Sequence, residues 1–200
     1  MRLVPKVTPG PRDERGVLSA RILVAARRAF ADTGYAGTTM RSVARAADVD
    51  PALVYHYFGS KEALLDAATT PPPRWLERVA ETWTTPLPQL GEALVRLMLS
   101  AWADDEIGPV LRAILQTAAH EAATREKLRL IVERSLIGVS QLGSTERERL
   151  VRSGLISSQI MGLAMMRFVW GIEPVATMSE EALVAAVAPN LQRYIEEDLR

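Results

Sequence analysis

Cysteine is absent from this chain of 200 residues, which excludes a disulfide framework, a thiolate metal site and a cysteine nucleophile. No apolar run approaches the roughly 18 residues that a membrane span requires. Aromatic residues make up only 6%, yet hydrophobic residues reach 48% and charged residues 24%, the composition of a globular protein. We therefore expect a soluble, cytoplasmic protein without membrane contact.

Charge is distributed unevenly although it sums to zero over the whole chain. Residues 1–62 carry ten Lys and Arg against six Asp and Glu, whereas the remainder carries fourteen against eighteen. A positive N-terminal part suits a phosphate backbone, so the charge favours a nucleic-acid partner for this part. The first residues contain prolines and no apolar stretch, so we expect no signal peptide.

Groups of residues that could carry out catalysis are missing. The two histidines, His56 and His120, are far apart, and no His-Glu-x-x-His, Gly-x-Ser-x-Gly or Walker sequence occurs. We expect no enzymatic activity, no cofactor and no metal site. Two function classes stay open: an all-helical enzyme, which substrate turnover would reveal, and an architectural DNA-binding protein that responds to no effector.

Apolar residues recur at helical spacing from about Gly16 onwards, and the alternation typical of strands is missing. The sequence thus predicts an all-α protein with three parts. These are a flexible N-terminal arm at 1–15, a small three-helix domain at 16–70 and a larger helical domain at 71–200.

Prolines predict two irregularities in these helices. A helix cannot run through Pro71, Pro72 and Pro73, because each lacks an N–H and crowds the preceding turn. We expect a helix ending near Ala68, an extended link, and a new helix with Pro73 at its first position. A kink or break is also expected at Pro189.

Capping residues predict two short helices in the first third of the chain. Thr38 or Thr39 can cap the first helix. Asp50 can cap the second, and Pro51 then occupies the first helical position, where proline is tolerated. Gly59 is suited to end this helix. Two short helices with so tight a connection predict a helix-turn-helix.

The second of these helices is predicted to expose large side chains. Val54 and Phe58 satisfy its buried side, which leaves Leu53, Tyr55 and His56 facing outward. Exposing such side chains is costly unless a partner covers them. A DNA major groove does so, because it offers thymine methyls to apolar groups and phosphates to hydroxyl and imidazole donors.

Residues 22–66 resemble the DNA-binding signature of the TetR (tetracycline-repressor) family. The segment from Tyr55 to Lys61, with its aromatic run followed by Phe-Gly-Ser-Lys, resembles the end of the family's recognition helix. One departure is the order Tyr-His-Tyr-Phe, where the family often has Tyr-x-His-Phe. Either His56 or Tyr57 would therefore contact phosphate.

The resemblance implies a homodimeric, helix-turn-helix repressor that binds a palindromic operator in double-stranded DNA and is released by a small apolar effector. It implies phosphate contacts at the start of the supporting helix, base contacts early in the recognition helix and a further phosphate contact after it. The residues so implied are Thr39, Arg41, Pro51, Ala52, Leu53, Tyr55, His56 and Lys61.

The resemblance also assigns ligand binding and dimerisation to the helical domain at 71–200. Large side chains with a few polar groups are the candidates for a ligand cavity: Trp75, Trp83, Met98, Trp102, Ile114, Leu115, Gln116 and His120. A stripe of small residues and an apolar stripe are the candidates for the dimer interface: Gly154, Ser158, Met161, Gly162, Met165, Leu183, Val187 and Leu191. The alternative for both sets is the ordinary core of one subunit.

Overall fold

The computed structural model describes residues 11–118, 120–132 and 142–197. This part of the chain is helical and contains no strand, which confirms the all-α prediction. The helices are α1 Pro11–Gly37, α2 Met40–Ala46, α3 Pro51–Phe58, α4 Lys61–Ala68, α5 Pro73–Thr82, α6 Leu90–Ala103, α7 Ile107–Ala118, α8 Ala122–Val132, α9 Glu146–Ala164 and α10 Glu180–Glu196. None of them is both long and apolar enough to cross a bilayer.

Helix α1 begins earlier than the sequence predicts. Of the predicted flexible arm at 1–15, residues 1–10 lie outside the described residues, but residues 11–15 belong to α1. Proline is compatible with this start, because the first helical position needs no intrahelical N–H. Gly34, with φ 69° and ψ 178°, interrupts the helix.

Two compact units divide the chain between Ala68 and Thr69. The first unit packs α1 to α4 around fully buried side chains from each helix, among them Ile22, Phe30, Val43, Val54 and Leu64. These residues share one face of each helix, so a single small core holds the unit together. This core determines which faces of α2 and α3 remain at the surface.

The helix break at the three prolines is confirmed. Helix α4 ends at Ala68, Pro72 is extended with φ −65° and ψ 150°, and α5 begins at Pro73. Lys127 of α8 donates from Nζ to Thr70 Oγ1 at 2.7 Å, and to Thr69 Oγ1 at 3.2 Å. The extended segment is therefore hydrogen-bonded to α8 within the second unit.

The second unit is built on the packing of α6 against α10. A Cβ at Gly91 would lie 2.7 Å from Ala188 O and 2.8 Å from Gln192 N, so only glycine permits this approach. Gln192 Oε1 accepts from Gly91 N at 2.8 Å. Helix α10 continues through Pro189 from Glu180 to Glu196, so the predicted break does not occur. One lost backbone hydrogen bond is tolerated here because buried residues on both sides of the proline anchor the helix.

Candidate nucleic-acid interface and ligand cavity

Helix α2 begins with a reciprocal cap. Thr39 has extended backbone angles, and its Oγ1 accepts from Ser42 N at 3.0 Å, while Ser42 Oγ accepts from Thr39 N at 2.9 Å. This capping box satisfies two backbone donors at the helix start. The Thr39 hydroxyl acts as an acceptor in the cap, so its proton can still be donated outward. Thr39 and Arg41 are both exposed.

The turn between α2 and α3 is held by Arg21 of α1. Its Nη2 donates to the carbonyl of Ala47, and to that of Asp48 at 2.9 Å. Asp48 adopts a left-handed backbone, with φ 52°, as a tight turn requires. Asp50 Oδ1 then accepts from Ala52 N at 2.7 Å and starts α3. The start of α3 is thus set by interactions within the unit.

Helix α3 presents most of its predicted contact residues at the surface. Val54 is fully buried, whereas Tyr55 is 52% exposed. His56 is exposed too, as are Pro51 and Ala52, and Leu53 is half-buried. The helix therefore carries one inward face and one outward face with an aromatic ring and an imidazole.

The two candidates for a phosphate contact in the aromatic run lie in different surroundings. Tyr57 is half-buried and packs against the core of the first unit, as Phe58 does. His56 is exposed, and its ring meets that of Tyr57 edge to face with centroids 5.5 Å apart. The imidazole is thus the more accessible of the two groups.

Lys61 stands at the first position of α4 beside an aromatic ring. Its Nζ lies 4.1 Å from the centroid of the Tyr35 ring. Tyr35 Oη donates to Glu62 Oε1 at 2.6 Å, and this hydrogen bond is the main reason that the pKa of Glu62 falls to about 2. Ser60 Oγ accepts from Ala63 N at 3.2 Å and caps the helix. Tyr35 thereby contacts two consecutive side chains at the start of α4.

The second unit contains a partly open cavity of about 170 Å³. Its wall comes from α5, α6, α7, α8 and α9 together with the extended link, and the wall residues that the structure describes include no charged side chain. Six of the predicted residues lie in the wall: Trp75, Trp83, Met98, Trp102, Ile114 and Leu115. The other wall residues were not predicted as cavity residues from the sequence: Pro71, Val79, Leu94, Leu97, Ala101, Leu111, Leu128, Ser157, Ile160, Met161 and Ala164.

Two predicted cavity residues lie elsewhere. The wall uses Leu111, Ile114 and Leu115 of α7, which share one face of that helix. Gln116 is rotated off this face, and the exposed His120 follows the end of the helix. Helical spacing within α7 would have excluded Gln116, whereas the positions of Pro71 and Ser157 in the wall have no local signal.

Helix α9 carries an exposed stripe of small residues. Gly154, Ser158 and Gly162 are all exposed. A Cβ added at either glycine would have no heavy atom within 4 Å beyond its own helix, so the space above them is open. Met161 and Met165 are half-buried beside this stripe, and Met161 also belongs to the cavity wall.

The predicted apolar interface on α10 is wrong in part. Leu183 is 2% exposed and Leu191 is fully buried, and Val187 packs against the same core. This stripe is used inside the chain because it is the most hydrophobic face of α10 and packs against α6. The outward face of α10 carries smaller residues instead: Ala182, Ala185, Ala186 and Pro189.

Sequence comparison identifies relatives for both units. The family described as bacterial regulatory proteins of the tetR family matches residues 22–68. The family described as the tetracyclin repressor-like C-terminal domain matches residues 89–195, more than half of the chain. The HTH-type transcriptional regulator BetI of Rhizobium meliloti (strain 1021) is 44% identical over 64 residues, which are 32% of this chain and 29% of that protein. The match therefore spans less than a third of this curated relative.

Solved structures share the fold over nearly the whole chain. A TetR-family regulator from Streptomyces coelicolor A3 is 28% identical with a TM-score of 0.63, covering 94% of this chain and 99% of that one. NalD from Pseudomonas aeruginosa, the secondary repressor of the MexAB-OprM multidrug efflux pump, is 20% identical with a TM-score of 0.66. That comparison covers 92% of this chain and 99% of NalD, and at this identity it bears on the fold alone.

Proposed function

This chain belongs to the tetR family of bacterial regulatory proteins, and we propose that it represses transcription by binding a palindromic DNA operator as a homodimer. In this proposal α3 enters the major groove, the starts of α2 and α4 contact phosphates, and a small apolar effector in the second unit weakens operator binding. Members of this family are regulators and not enzymes.

The outward face of α3 is the observation that carries the proposal. Tyr55 leaves 52% of its surface exposed while Val54, one residue earlier, is fully buried. A monomer gains no stability from leaving a tyrosine and a histidine exposed, and a leucine half-buried, on a helix of eight residues. A major groove would cover them, with base edges and thymine methyls for the apolar groups.

The starts of α2 and α4 supply the phosphate contacts in this proposal. Thr39 and Lys61 stand at these two helix starts, where backbone N–H groups favour an anion. Arg41 adds a positive charge at the second residue of α2. Phosphate contacts of this kind orient a protein on the duplex without reading its sequence.

Dimerisation in this proposal uses the stripe of Gly154, Ser158 and Gly162, with Met161 and Met165 beside it. The open space above the two glycines lets a second copy of α9 approach closely. The exposed alanines of α10 are a second candidate for this interface in place of the buried leucines. A two-fold interface of this type matches the symmetry of a palindromic operator.

The lining of the cavity indicates which chemical class of effector it would bind. The described part of its wall has an apolar lining from five helices and no charged side chain, so an ion inside would be desolvated without a partner. Pro71 of the extended link is part of this wall. An effector would therefore contact the segment that follows the first unit, which is the proposed route from the cavity to DNA binding.

Selection of bound DNA from a random library tests the proposed function. We expect enrichment of one inverted repeat, and sedimentation of the protein–DNA complex should show two chains for each site. An architectural protein would instead enrich no repeat, and that result would overturn the proposal. Tyr55→Ala should abolish the enrichment. Leu76→Ala is the matched control, because Leu76 is also 52% exposed but lies in the second unit.

A further inference from the structure

Asp48 connects α2 to α3 in a backbone conformation that an aspartate rarely adopts. Its φ is 52°, and it is the one non-glycine residue with a positive φ in the part of the chain that the structure describes. A residue with a Cβ is disfavoured in this left-handed region, so the conformation persists only where the surrounding structure holds it. Val49 N donates to Ala44 O at 3.0 Å, and Asp50 then caps α3. The direction in which α3 leaves α2 therefore depends on Asp48.

Arg21 of α1 holds this turn from outside. Its Nη2 donates to the carbonyl of Ala47, the C-cap of α2, and to that of Asp48 at 2.9 Å. Both carbonyls lie at the C-terminal end of α2, where backbone acceptors lack an intrahelical partner and a positive charge is favoured. One guanidinium thus satisfies two acceptors and restrains the strained residue between the helices.

A second arginine on the same face of α1 is used differently. Arg28 follows Arg21 by seven residues, is exposed as Arg21 is, and pairs with Asp32 of its own helix at 3.6 Å. The hydrogen bonds of Arg21 instead reach residues that are 26 and 27 positions further along the chain. The two arginines therefore separate the effect of positive charge on this face from the effect of contact with the turn.

We propose that Arg21 is a positioning residue for DNA recognition, which fixes the orientation of α3 through the turn at Asp48 without contacting the DNA. This inference rests on the proposed function, in which α3 enters the major groove. A helix of variable orientation presents Leu53 and Tyr55 to the groove only part of the time, and the apparent affinity falls by that fraction. Holding the turn before DNA arrives therefore strengthens operator binding.

The test compares Arg21→Ala with Arg28→Ala, which removes the same charge from the same face of α1 but leaves the turn bonded. Titrations with the selected operator measure affinity at several salt concentrations, at a temperature where circular dichroism shows each variant folded. We expect Arg21→Ala to bind about tenfold more weakly than Arg28→Ala, the factor for a turn that is correctly formed a tenth of the time. The slope of log K against log salt should be the same for both variants.

Two results of these titrations would overturn the proposal. A direct phosphate contact would make the slope smaller by about two in Arg21→Ala than in Arg28→Ala, because a dimer would lose two contacts. Equal affinities for the two variants would mean that Arg21 only stabilises the fold.

Asp48→Gly provides a second arm, because glycine adopts a positive φ without a steric cost. In the Asp48→Gly background, the loss of affinity caused by Arg21→Ala should shrink from about tenfold to about twofold, since the turn no longer needs to be held. The missing carboxylate cancels because each comparison is made within one background. An undiminished loss would show that Arg21 does not act through Asp48.

A third measurement uses the protein without DNA. Hydrogen exchange reports on the turn through the amide of Val49, and on the start of α3 through the amide of Ala52, which donates to Asp50 Oδ1 at 2.7 Å. Both amides should exchange faster in Arg21→Ala and at the wild-type rate in Arg28→Ala. Equal rates in all three proteins would overturn the role of Arg21, whereas failure to select an operator would overturn the proposed function.

Discussion

The ammonium group of Lys61 lies 4.1 Å from the centre of the Tyr35 ring, so an aromatic residue at the end of α1 supports a lysine at the start of α4. Such a cation–π contact contributes about 0.5–1 kcal/mol at exposed sites. The hydroxyl of the same tyrosine donates a hydrogen bond to Glu62, so the carboxylate next to Lys61 is held at the same side chain. One side chain thereby positions both charges that stand at the start of α4.

Tyr35→Phe should raise the pKa of Glu62 from about 2 towards its ordinary value of 4.5, because the hydrogen bond that lowers it is removed. A lowered pKa in the folded state stabilises the protein above pH 4.5, and this contribution is lost as the pH falls towards 2. The wild type should therefore melt higher than the variant at pH 6, with a smaller difference at pH 3. Carboxylate NMR titration checks the pKa directly, and an unchanged value would contradict the assignment.

Lys61→Ala and Leu53→Ala should weaken operator binding in different ways. Without Lys61 the affinity should fall equally for all sequences, and the slope of log K against log salt should decrease by about two for a dimer that loses two phosphate contacts. Without Leu53 the preference at one base pair in each half-site should change, at a cost of about 1–3 kcal/mol. Binding titrations against all single-base operator variants check both. An unchanged base preference in Leu53→Ala would show that another residue reads that position.

Gly162→Leu should convert the proposed dimer to monomer without unfolding the chain. The position is exposed with open space around it, so a leucine fits the subunit and blocks only a close partner helix. Sedimentation equilibrium measures the association, and thermal melting monitors the fold. Gly16→Leu is the control, because it also has open space but lies on α1. Retention of the dimer in Gly162→Leu would place the interface elsewhere.

Gly91→Ala should destabilise the second unit, because the added methyl would lie 2.7 Å from Ala188 O and must push α6 away from α10. Overpacking of this kind costs about 1–3 kcal/mol. Urea unfolding measures the loss. Gly16→Ala, with nothing near its methyl, should leave the stability equal or slightly higher. Equal stabilities for Gly91→Ala and the wild type would mean that the helices separate at no cost.

Replacing Pro71, Pro72 and Pro73 together with alanine should allow helix to form across the link between α4 and α5. Each interior proline costs a helix about 3 kcal/mol, so their removal takes away the main obstacle. The expected results are a rise in helical circular dichroism, an altered operator affinity and an altered response to effector. Wild-type values for affinity and response would show that the extended link has no part in regulation.

Much of the first unit was predictable because its signals are local. A threonine or aspartate that caps a helix, a proline at a first position and a glycine that ends a helix act on neighbours within four residues. Thr39, Asp50 and Pro51 therefore mark the starts of α2 and α3 in the sequence as in the structure. The three prolines at 71–73 act in the same way, through a missing N–H and a steric clash.

Only the tertiary structure determines which apolar face of a helix is buried within the chain. Helical spacing marks Leu183 and Leu191 as one apolar stripe, but not whether α6 or a second copy covers it. Close approach at Gly91 assigns that stripe to the core of the chain and leaves the stripe of Gly154 and Gly162 exposed. The cavity also depends on the tertiary packing of the helices. Its wall joins residues as distant in the sequence as Trp83 and Ser157.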